Sequence, residues 1–240
     1  MSVIEERVVI AMVGLPARGK SYTSKAIVKY LNFFGCPVRL FNAGDKRRVA
    51  GLAGTAASFF DASNHGAARQ REQIAMGTLD ELLAWLEAAP RGCACGIFDA
   101  TNTTVARRRA VIERCALAGR AMRTPLRLVF VENVCDDEAI LHHSYAMKLS
   151  NADYQGADPA SAYSDFVARC HRGDSTPEHS VWVTTASGAT PSVWVTTACG
   201  LPTAPDMACG QGGVVTDRRD SASGLQHRSA LTLPAVLGRH

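Results

Sequence analysis

The chain has 240 residues, of which 47% are hydrophobic and 20% charged, a balance typical of a globular protein. Its 26 basic and 22 acidic side chains leave a net charge of +4, too small to indicate nucleic acid as a partner. No apolar run approaches the roughly 20 residues that a membrane span needs, and the N-terminal residues include two acids where a signal peptide is basic. We therefore expect a cytoplasmic protein with reduced cysteines that binds a small molecule and neither nucleic acid nor a membrane.

Strand and helix patterns alternate through the first half of the chain. Short apolar runs that end in glycine or polar residues indicate buried strands, and longer segments with apolar residues three or four apart indicate helices. The predicted elements are a strand over 7–13, a helix over 20–34, a strand over 38–42, a helix over 69–87, a strand over 95–99, a helix over 106–118 and a strand over 126–132. In the first helix, the expected apolar face consists of Ile27, Tyr30, Leu31 and Phe34.

This alternation predicts an α/β protein with a mostly parallel sheet, because right-handed crossover helices join parallel strands. The functional edge is then expected at the carboxyl ends of the strands.

The last part of the chain has a different composition. Residues 171–240 contain no Phe, Tyr or Lys, and the heptapeptide SVWVTTA occurs twice, at 180–186 and at 192–198. We expect a kinase-like domain over 1–170 and a low-complexity, disordered tail over 171–240. A β-hairpin formed by the two copies is the alternative for that segment.

A phosphate-binding motif lies between the first predicted strand and the first predicted helix. Residues 14–21 match the pattern G-x-x-x-x-G-K-[ST] at every fixed position. The glycines allow backbone N–H groups to surround phosphate oxygens, and the N-terminus of the helix adds partial positive charge. Lys20 is expected to reach the β- and γ-phosphates and Ser21 to bind Mg²⁺. The motif predicts a P-loop NTPase-like three-layer fold that binds ATP.

Asp99 ends the third predicted strand and is the candidate acidic partner of the P-loop. Its carboxylate could bind the Mg²⁺ shell or accept the proton of an attacking hydroxyl, and helix capping is the alternative role. Basic residues occur near predicted strand ends at 46–48, Arg71, 107–109 and Lys148. They suit a phosphorylated second substrate, because guanidinium groups bind phosphate with two parallel hydrogen bonds; a solvated basic face is the alternative.

Five motifs together resemble the kinase half of the bifunctional 6-phosphofructo-2-kinase/fructose-2,6-bisphosphatases. They are GLPARGKSY at 14–22, FNAGDKRR at 41–48, FDATNTT at 98–104, VENVCDD at 131–137 and KLSNADY at 148–154. The resemblance covers roughly residues 7–170. It implies synthesis of fructose 2,6-bisphosphate from fructose 6-phosphate and ATP with Mg²⁺.

The resemblance also implies roles for individual residues. ATP would be bound by Gly14, Leu15, Pro16, Ala17, Arg18, Gly19, Lys20, Ser21 and Tyr22, with the segment from His143 to Lys148 lining the nucleotide. The sugar phosphate would be held by Arg47, Arg71, Thr101, Arg107, Lys148 and Arg169. Lys20, Asp99, Lys148 and Cys135 would form the catalytic set, and Ser21 and Asp99 the metal site. For Cys135, a buried structural thiol is the alternative.

The chain also departs from the family pattern. The Arg-His-Gly-Glu signature of the phosphatase half is absent, so we do not expect bisphosphatase activity. After Cys170, the pattern does not indicate the final strand and helix of the family, and Gly173 stands where a sugar-binding tyrosine is expected. Two alternatives to the kinase therefore stay open: a P-loop kinase with another hydroxyl acceptor, and an inactive nucleotide-binding remnant.

Overall fold

A parallel sheet of five strands forms the centre of the protein. The computed structural model describes residues 5–52, 59, 63–150, 153–154, 156, 158–174 and 193–198. In chain order the strands are β1 (Glu6–Val13), β2 (Val38–Asn42), β3 (Cys93–Asp99), β4 (Leu126–Val134) and β5 (Val193–Ala198). They lie in the order β2-β3-β1-β4-β5, and every neighbouring pair is parallel. All carboxyl ends therefore meet at one edge.

Helices connect the strands and cover the sheet. They are α1 (Lys20–Phe33), α2 (Ala43–Arg47), α3 (His65–Glu87), α4 (Val105–Ala121), α5 (Glu138–Leu149) and α6 (Pro159–Asp174), and α2 continues into a π-helical turn at Arg48–Leu52. The side chains of Asn42, Asn64, Thr104 and Asp137 cap the N-termini of α2, α3, α4 and α5 by accepting backbone N–H groups. Among the described residues, no helix has the length and apolar character needed to cross a membrane.

The alternation of side chains along β1 divides the core into two layers. Val9, Ala11 and Val13 point to one face, where they pack with residues of α3 and α4. Met12 belongs to a second cluster on the opposite face, where Ile27 and Leu31 of α1 cover the sheet. The sheet therefore lies between two helical layers, which confirms the predicted three-layer α/β fold.

The four strands and three helices expected from the sequence are all present, with ends shifted by a few residues. The prediction of the buried face of α1 was partly wrong. Tyr30 and Phe34 are each 64% exposed, whereas Ile27, Val28 and Leu31 pack against the sheet. Ile27 and Leu31 face the sheet as expected, but the buried face extends from them to Val28 and not to Tyr30 and Phe34.

The tail contains an element that the sequence analysis did not expect. Residues Val193–Ala198, the second copy of the repeat, form β5 and pair with β4 from Val129↔Val193 to Val134↔Ala198. For these six residues the expectation of disorder was wrong. Pairing satisfies backbone groups that β4 would otherwise expose at a sheet edge. The first copy lies outside the described residues, and so does the rest of the predicted hairpin.

Candidate active site

The P-loop follows β1 and is held against both neighbouring strands. Gly14 has φ +136°, and its N–H donates to the Thr101 carbonyl oxygen at 2.9 Å. A Cβ atom at Gly14 would lie 2.6 Å from the backbone oxygen of Asn133 on β4. Gly19, with φ +85°, precedes the first turn of α1. The two motif glycines are thus required by backbone geometry, one because of close approach and both because of positive φ.

Lys20 is buried at the start of α1. Its exposed fraction is 8%, and its ammonium group donates to the Leu15 carbonyl oxygen of the P-loop at 2.6 Å. Burial lowers the pKa of Lys20 to about 8; the charge of Asp99 opposes this shift, and the charges of Lys148 and Arg18 add to it. An anionic ligand strongly stabilises a buried ammonium group, because it supplies the interactions that the group lost when burial removed its water.

Two side chains from different elements donate hydrogen bonds to Asp99. The Ser21 hydroxyl donates to Asp99 Oδ2 at 2.8 Å, and Asn42 Nδ2 donates to the same oxygen at 2.8 Å. Asn42 and Asp99 end β2 and β3 as directly paired residues, so the parallel register places them side by side. Asp99 is 4% exposed. The sequence analysis identified Ser21 and Asp99 but missed Asn42, although its position at the end of a neighbouring strand was a usable signal.

These residues fit a nucleotide and a magnesium ion. Mg²⁺ prefers oxygen ligands, and the adjacent oxygens of Ser21 and Asp99 lie at the N-terminus of α1, where phosphate groups are favoured. Ala17 has φ +60° although it is not glycine, as expected for a loop that turns backbone N–H groups towards one point. The donor set therefore matches the combination of a phosphate and a divalent cation.

Helices α5 and α6 form a wall beside the P-loop. Arg18 Nη1 donates to the Tyr145 hydroxyl at 3.1 Å, and a buried cluster joins Ala17 to Tyr145, Phe166 and Cys170. Lys148 lies on α5, and its charge reaches Lys20. Lys148 thus lies on the helix that contacts the P-loop, and its expected contacts with ATP and the sugar phosphate stay predictions.

His143 also lies on α5, but it is exposed. It is two residues from Tyr145, about 200° around the helix, and therefore on the face opposite the P-loop contact. Tyr22 in the first turn of α1 is 82% exposed. Neither residue is packed into the site, so their expected contacts with the nucleotide stay predictions.

The expected sugar-phosphate residue Arg47 forms a buried ion pair. Its Nη2 lies 2.5 Å from Asp153 Oδ2, and both side chains are 8% exposed. Arg48 approaches the same carboxylate oxygen at 3.4 Å. Asp153 is separated from Arg47 by 106 positions, so no local pattern predicted this pair. The ion pair fixes the position of a guanidinium group near the end of β2.

The other expected arginines are also engaged. Arg107 Nε donates to Glu72 Oε2 at 2.8 Å, and a second guanidinium nitrogen contacts the same oxygen. Arg71 donates to the Phe59 carbonyl oxygen and stacks on that ring at 5.6 Å. Thr101 contacts the P-loop through its carbonyl oxygen, and its side chain is exposed.

Two further residues were expected in the site. Cys135 is buried directly after β4, at the carboxyl edge of the sheet. Arg169 lies on α6, and its side chain is outside the part that the structure describes. The position of Cys135 suits both the structural and the catalytic interpretation.

Two buried asparagines that the sequence analysis did not single out connect the strands and the helix around the P-loop. Asn102, with φ +48°, donates through Nδ2 to the Met12 carbonyl oxygen at 2.8 Å. Asn133 donates to the Thr23 hydroxyl oxygen on α1 at 2.8 Å. Both are at least 98% buried, being 1% and 2% exposed. They connect the loop after β3 to β1, and β4 to α1, and so fix the strands that carry the P-loop.

Comparison with known proteins agrees with this arrangement. The family described as 6-phosphofructo-2-kinase matches residues 2–177. A probable 6-phosphofructo-2-kinase of Schizosaccharomyces pombe is 40% identical over 167 residues, which are 69% of this chain and 24% of the relative. The human 6-phosphofructo-2-kinase/fructose-2,6-bisphosphatase 3 is 38% identical over 162 residues, 67% of this chain and 30% of the relative. The chain thus spans about a quarter to a third of the length of these curated relatives.

Among solved structures, a putative kinase from Chloroflexus aurantiacus aligns with a TM-score of 0.46 and 15% identity, over 84% of this chain and 92% of that chain. The matched family segment contains the P-loop, Asp99 and the wall of α5 and α6. Since that segment extends over most of the chain, the protein belongs to the 6-phosphofructo-2-kinase family.

Proposed function

We propose that this chain transfers the γ-phosphoryl group of ATP to the 2-hydroxyl of fructose 6-phosphate, giving fructose 2,6-bisphosphate. The observation that carries the proposal is the cluster of Ser21, Asp99 and Asn42 beside the buried Lys20, in a chain of this family. Phosphoryl transfer needs little covalent help from a protein and depends on positioning and on stabilisation of charge. The site offers both.

On the nucleotide side, the backbone of residues 14–19 and the Lys20 ammonium would bind the phosphates of ATP. Ser21 and Asp99 would hold Mg²⁺, which supplies charge neutralisation on the phosphate oxygens. The Asp99 carboxylate would also accept the proton of the attacking hydroxyl. Lys148 would add a second positive charge beside Lys20, where the transferred group carries negative charge.

On the acceptor side, we assign the phosphate of the sugar to Arg47, Arg71, Arg107 and Arg169, with Thr101 and Lys148 next to the transferred group. Guanidinium groups hold a phosphate in a defined orientation, which brings the acceptor hydroxyl close to the γ-phosphate. Cys135 is proposed as a site residue at the end of β4. Tyr22 and His143 are proposed as contacts of the nucleotide that form when it is bound.

The remaining assignments belong to the same proposal. The kinase domain would be residues 1–170 and the tail 171–240, although α6 runs across that boundary to Asp174. The protein would act in the cytoplasm on a small-molecule substrate, without nucleic acid or membrane partners. The proposal concerns the kinase reaction alone, because the chain lacks the Arg-His-Gly-Glu signature of the phosphatase half.

The test is a product assay with the purified chain, Mg²⁺-ATP and fructose 6-phosphate. We expect an acid-labile bisphosphate, and we expect Lys20→Ala to reduce its formation by about a thousandfold, because one charge that stabilises the transition state is lost. Lys29→Ala is the matched control, since Lys29 is an exposed lysine of α1 to which the proposal gives no role in the site. That variant should keep the full rate.

Two results would replace the proposal. ATP binding without product from any acceptor would identify a nucleotide-binding remnant. Phosphorylation of another hydroxyl compound, but not of fructose 6-phosphate, would identify a P-loop kinase with a different acceptor.

A further inference from the structure

Two thiols lie side by side at the amino end of the sheet, away from the P-loop. The Cys36 thiol donates towards Cys93 Sγ at 3.8 Å, and it also lies 3.7 Å from the Pro37 carbonyl oxygen and 3.9 Å from the Cys93 carbonyl oxygen. Both cysteines are free; Cys36 is half-buried and Cys93 is exposed. The kinase reaction proposed above uses neither of them.

The register of the sheet explains why the thiols meet. Residues of β2 pair with residues of β3 that are 57 positions later, from Val38↔Cys95 to Asn42↔Asp99. Cys36 and Cys93 have the same separation of 57, so they continue this ladder two residues before its first pair. The Cys95 N–H donates to the Pro37 carbonyl oxygen at 2.9 Å and holds the two chains together at that point.

This backbone arrangement suits a disulfide. Neighbouring strands lie about 4.8 Å apart, and a disulfide joins Cα atoms that are roughly 4.4–6.8 Å apart. The two sulfur atoms must approach from 3.8 Å to about 2.05 Å, a movement that side-chain rotation can provide. No rearrangement of the ladder is required.

The two thiols differ in their chemistry. Burial, together with the hydrogen bond to Cys93 and the charge of Cys93, raises the pKa of Cys36 to about 11. Cys36 therefore keeps its proton. Cys93 is the exposed partner and accepts the hydrogen bond, so an oxidant in solution meets its sulfur first.

We propose that Cys36 and Cys93 form a redox-active pair that hydrogen peroxide or an organic hydroperoxide converts to an intrachain disulfide. The Cys93 thiol first releases its proton, and the resulting thiolate attacks a peroxide oxygen. The O–O bond breaks, a sulfenic acid forms on Cys93, and the leaving hydroxide (or alkoxide) combines with the released proton to give water (or an alcohol). Cys36 sulfur then attacks Cys93 sulfur, the S–O bond breaks, and the hydroxide leaves as water with the Cys36 proton. In total, two thiols and one hydrogen peroxide give one disulfide and two waters. A small-molecule dithiol reverses the reaction.

The other described cysteines are buried away from an oxidant in solution. Burial raises the pKa of Cys95 and of Cys115 to about 12, and Cys135 and Cys170 are buried. Within the described part of the chain, no three or more potential ligands form a group that could hold a metal ion. The arrangement therefore favours a disulfide over a metal–thiolate site.

The disulfide would close a ring that contains β2, α2 and α3. Cross-linking restricts the unfolded chain, so we expect the melting temperature to rise by roughly 5–10 °C on oxidation. The cross-link lies at the end of β2 and β3 opposite Asn42 and Asp99. We therefore expect the rate of the proposed kinase reaction to change by less than about twofold.

The test oxidises the full-length chain with one equivalent of hydrogen peroxide, blocks the remaining thiols with iodoacetamide and maps the peptides. The expected product is a Cys36–Cys93 cross-linked peptide that dithiothreitol removes. Cys36→Ser should stop the reaction at a Cys93 sulfenic acid that dimedone traps, and Cys93→Ser should give neither product. Cys209→Ser, which removes a thiol elsewhere, is the control and should keep the cross-link.

Three results would overturn the proposal. They are overoxidation of Cys93 to sulfinic acid without a cross-link, pairing of Cys93 with a different cysteine, and equal yields of the cross-link in the folded and the urea-unfolded chain. None of these readouts depends on kinase activity, so the proposal and the proposed function fail independently.

Discussion

The two halves of the candidate site are built in different ways. Around the nucleotide, the contacts join strand ends to one another: Gly14 to Thr101, and Ser21 and Asn42 to Asp99. On the proposed acceptor side, two arginines are held by carboxylates from distant segments: Arg47 by Asp153 and Arg107 by Glu72. The first half follows from the packing of the sheet, whereas the second depends on individual ion pairs.

This difference has a chemical consequence. The nucleotide half has the positive φ angles at Gly14, Ala17 and Gly19 and the buried lysine that a phosphate site requires. In the proposed acceptor half, Arg47 and Arg107 would have to share their carboxylate partners with the phosphate of the sugar or exchange one for the other. Changes in the first half should therefore affect catalysis and folding, and changes in the second should affect mainly the affinity for the sugar phosphate.

The largest expected effect is that of Asp99→Asn on the rate of product formation. The amide can still accept a hydrogen bond from Ser21, but it loses the charge that holds a divalent cation, so we expect kcat to fall by roughly a thousandfold. Steady-state kinetics measures this loss. Asp80→Asn, at an exposed carboxylate on α3 that lies 3.6 Å from Arg114, is the control and should keep the rate. If Asp99→Asn keeps more than a tenth of kcat, Asp99 is not part of the metal site.

Gly14→Ala tests how tightly β4 holds the P-loop. The added Cβ would lie 2.6 Å from the Asn133 backbone oxygen at a φ of +136°, so we expect the free energy of unfolding to fall by about 3 kcal/mol, with a loss of nucleotide binding. Urea denaturation measures the first and calorimetric titration the second. In Gly77→Ala on α3, the added Cβ would lie in open space, with no packing atom within 4 Å. This control variant should instead stabilise the protein by about 0.5–1 kcal/mol. Unchanged stability in Gly14→Ala would mean that β4 does not hold the P-loop tightly at Gly14.

Asp153→Asn tests the acceptor half. The variant removes the charge that positions Arg47, so we expect KM for fructose 6-phosphate to rise by about tenfold, equivalent to roughly 1.4 kcal/mol, and KM for ATP to stay constant. Asp45→Asn is the matched control, because Asp45 forms an ion pair with Arg48 one helical turn away and its side chain is 68% exposed. A lower KM for the sugar in Asp153→Asn would show that the carboxylate competes with the substrate.

The smallest expected effect is a pH dependence of nucleotide affinity. Burial lowers the pKa of Lys20 from its ordinary 10.5 to about 8, so the ammonium form is lost as the pH rises through 8. Between pH 7 and pH 8.5 we expect the affinity for ATP to fall by about fourfold, in proportion to the protonated fraction. Titration calorimetry at both values measures it. In Lys20→Ala, the affinity should be weak at both pH values; a decline as steep as in the unchanged chain would assign the dependence to another group.

The same pKa shift affects stability in the opposite direction. The unfolded chain still binds the Lys20 proton between pH 8 and pH 10.5, where the folded chain has released it. The contribution of Lys20 to the free energy of unfolding therefore rises with pH over this interval. As the pH rises, the affinity for ATP should fall while the contribution of Lys20 to the free energy of unfolding increases. Opposite trends would show that the charge of Lys20 is needed for binding and not for folding.

Most of the sheet and the nucleotide half could be predicted from local patterns. The P-loop directly follows one apolar strand, and Asp99 ends another. Because parallel strands have their carboxyl ends at the same edge, both places could be predicted without knowing the tertiary structure. Asn42 was within reach of the same reasoning. Asp153, Glu72 and Tyr145 were not, because each meets its arginine across a long stretch of chain whose path depends on how helices pack.

By itself, the sequence determined the alternation of strands and helices, the phosphate loop and the acidic residue beside it. These features depend on side-chain periodicity and on backbone conformations that a few neighbouring residues impose. Only the tertiary structure decided the strand pairing of 193–198, the carboxylate partners of the arginines and the meeting of Cys36 with Cys93. Each of these depends on the register or packing of segments far apart in the chain, and those are set by the free energy of the whole fold.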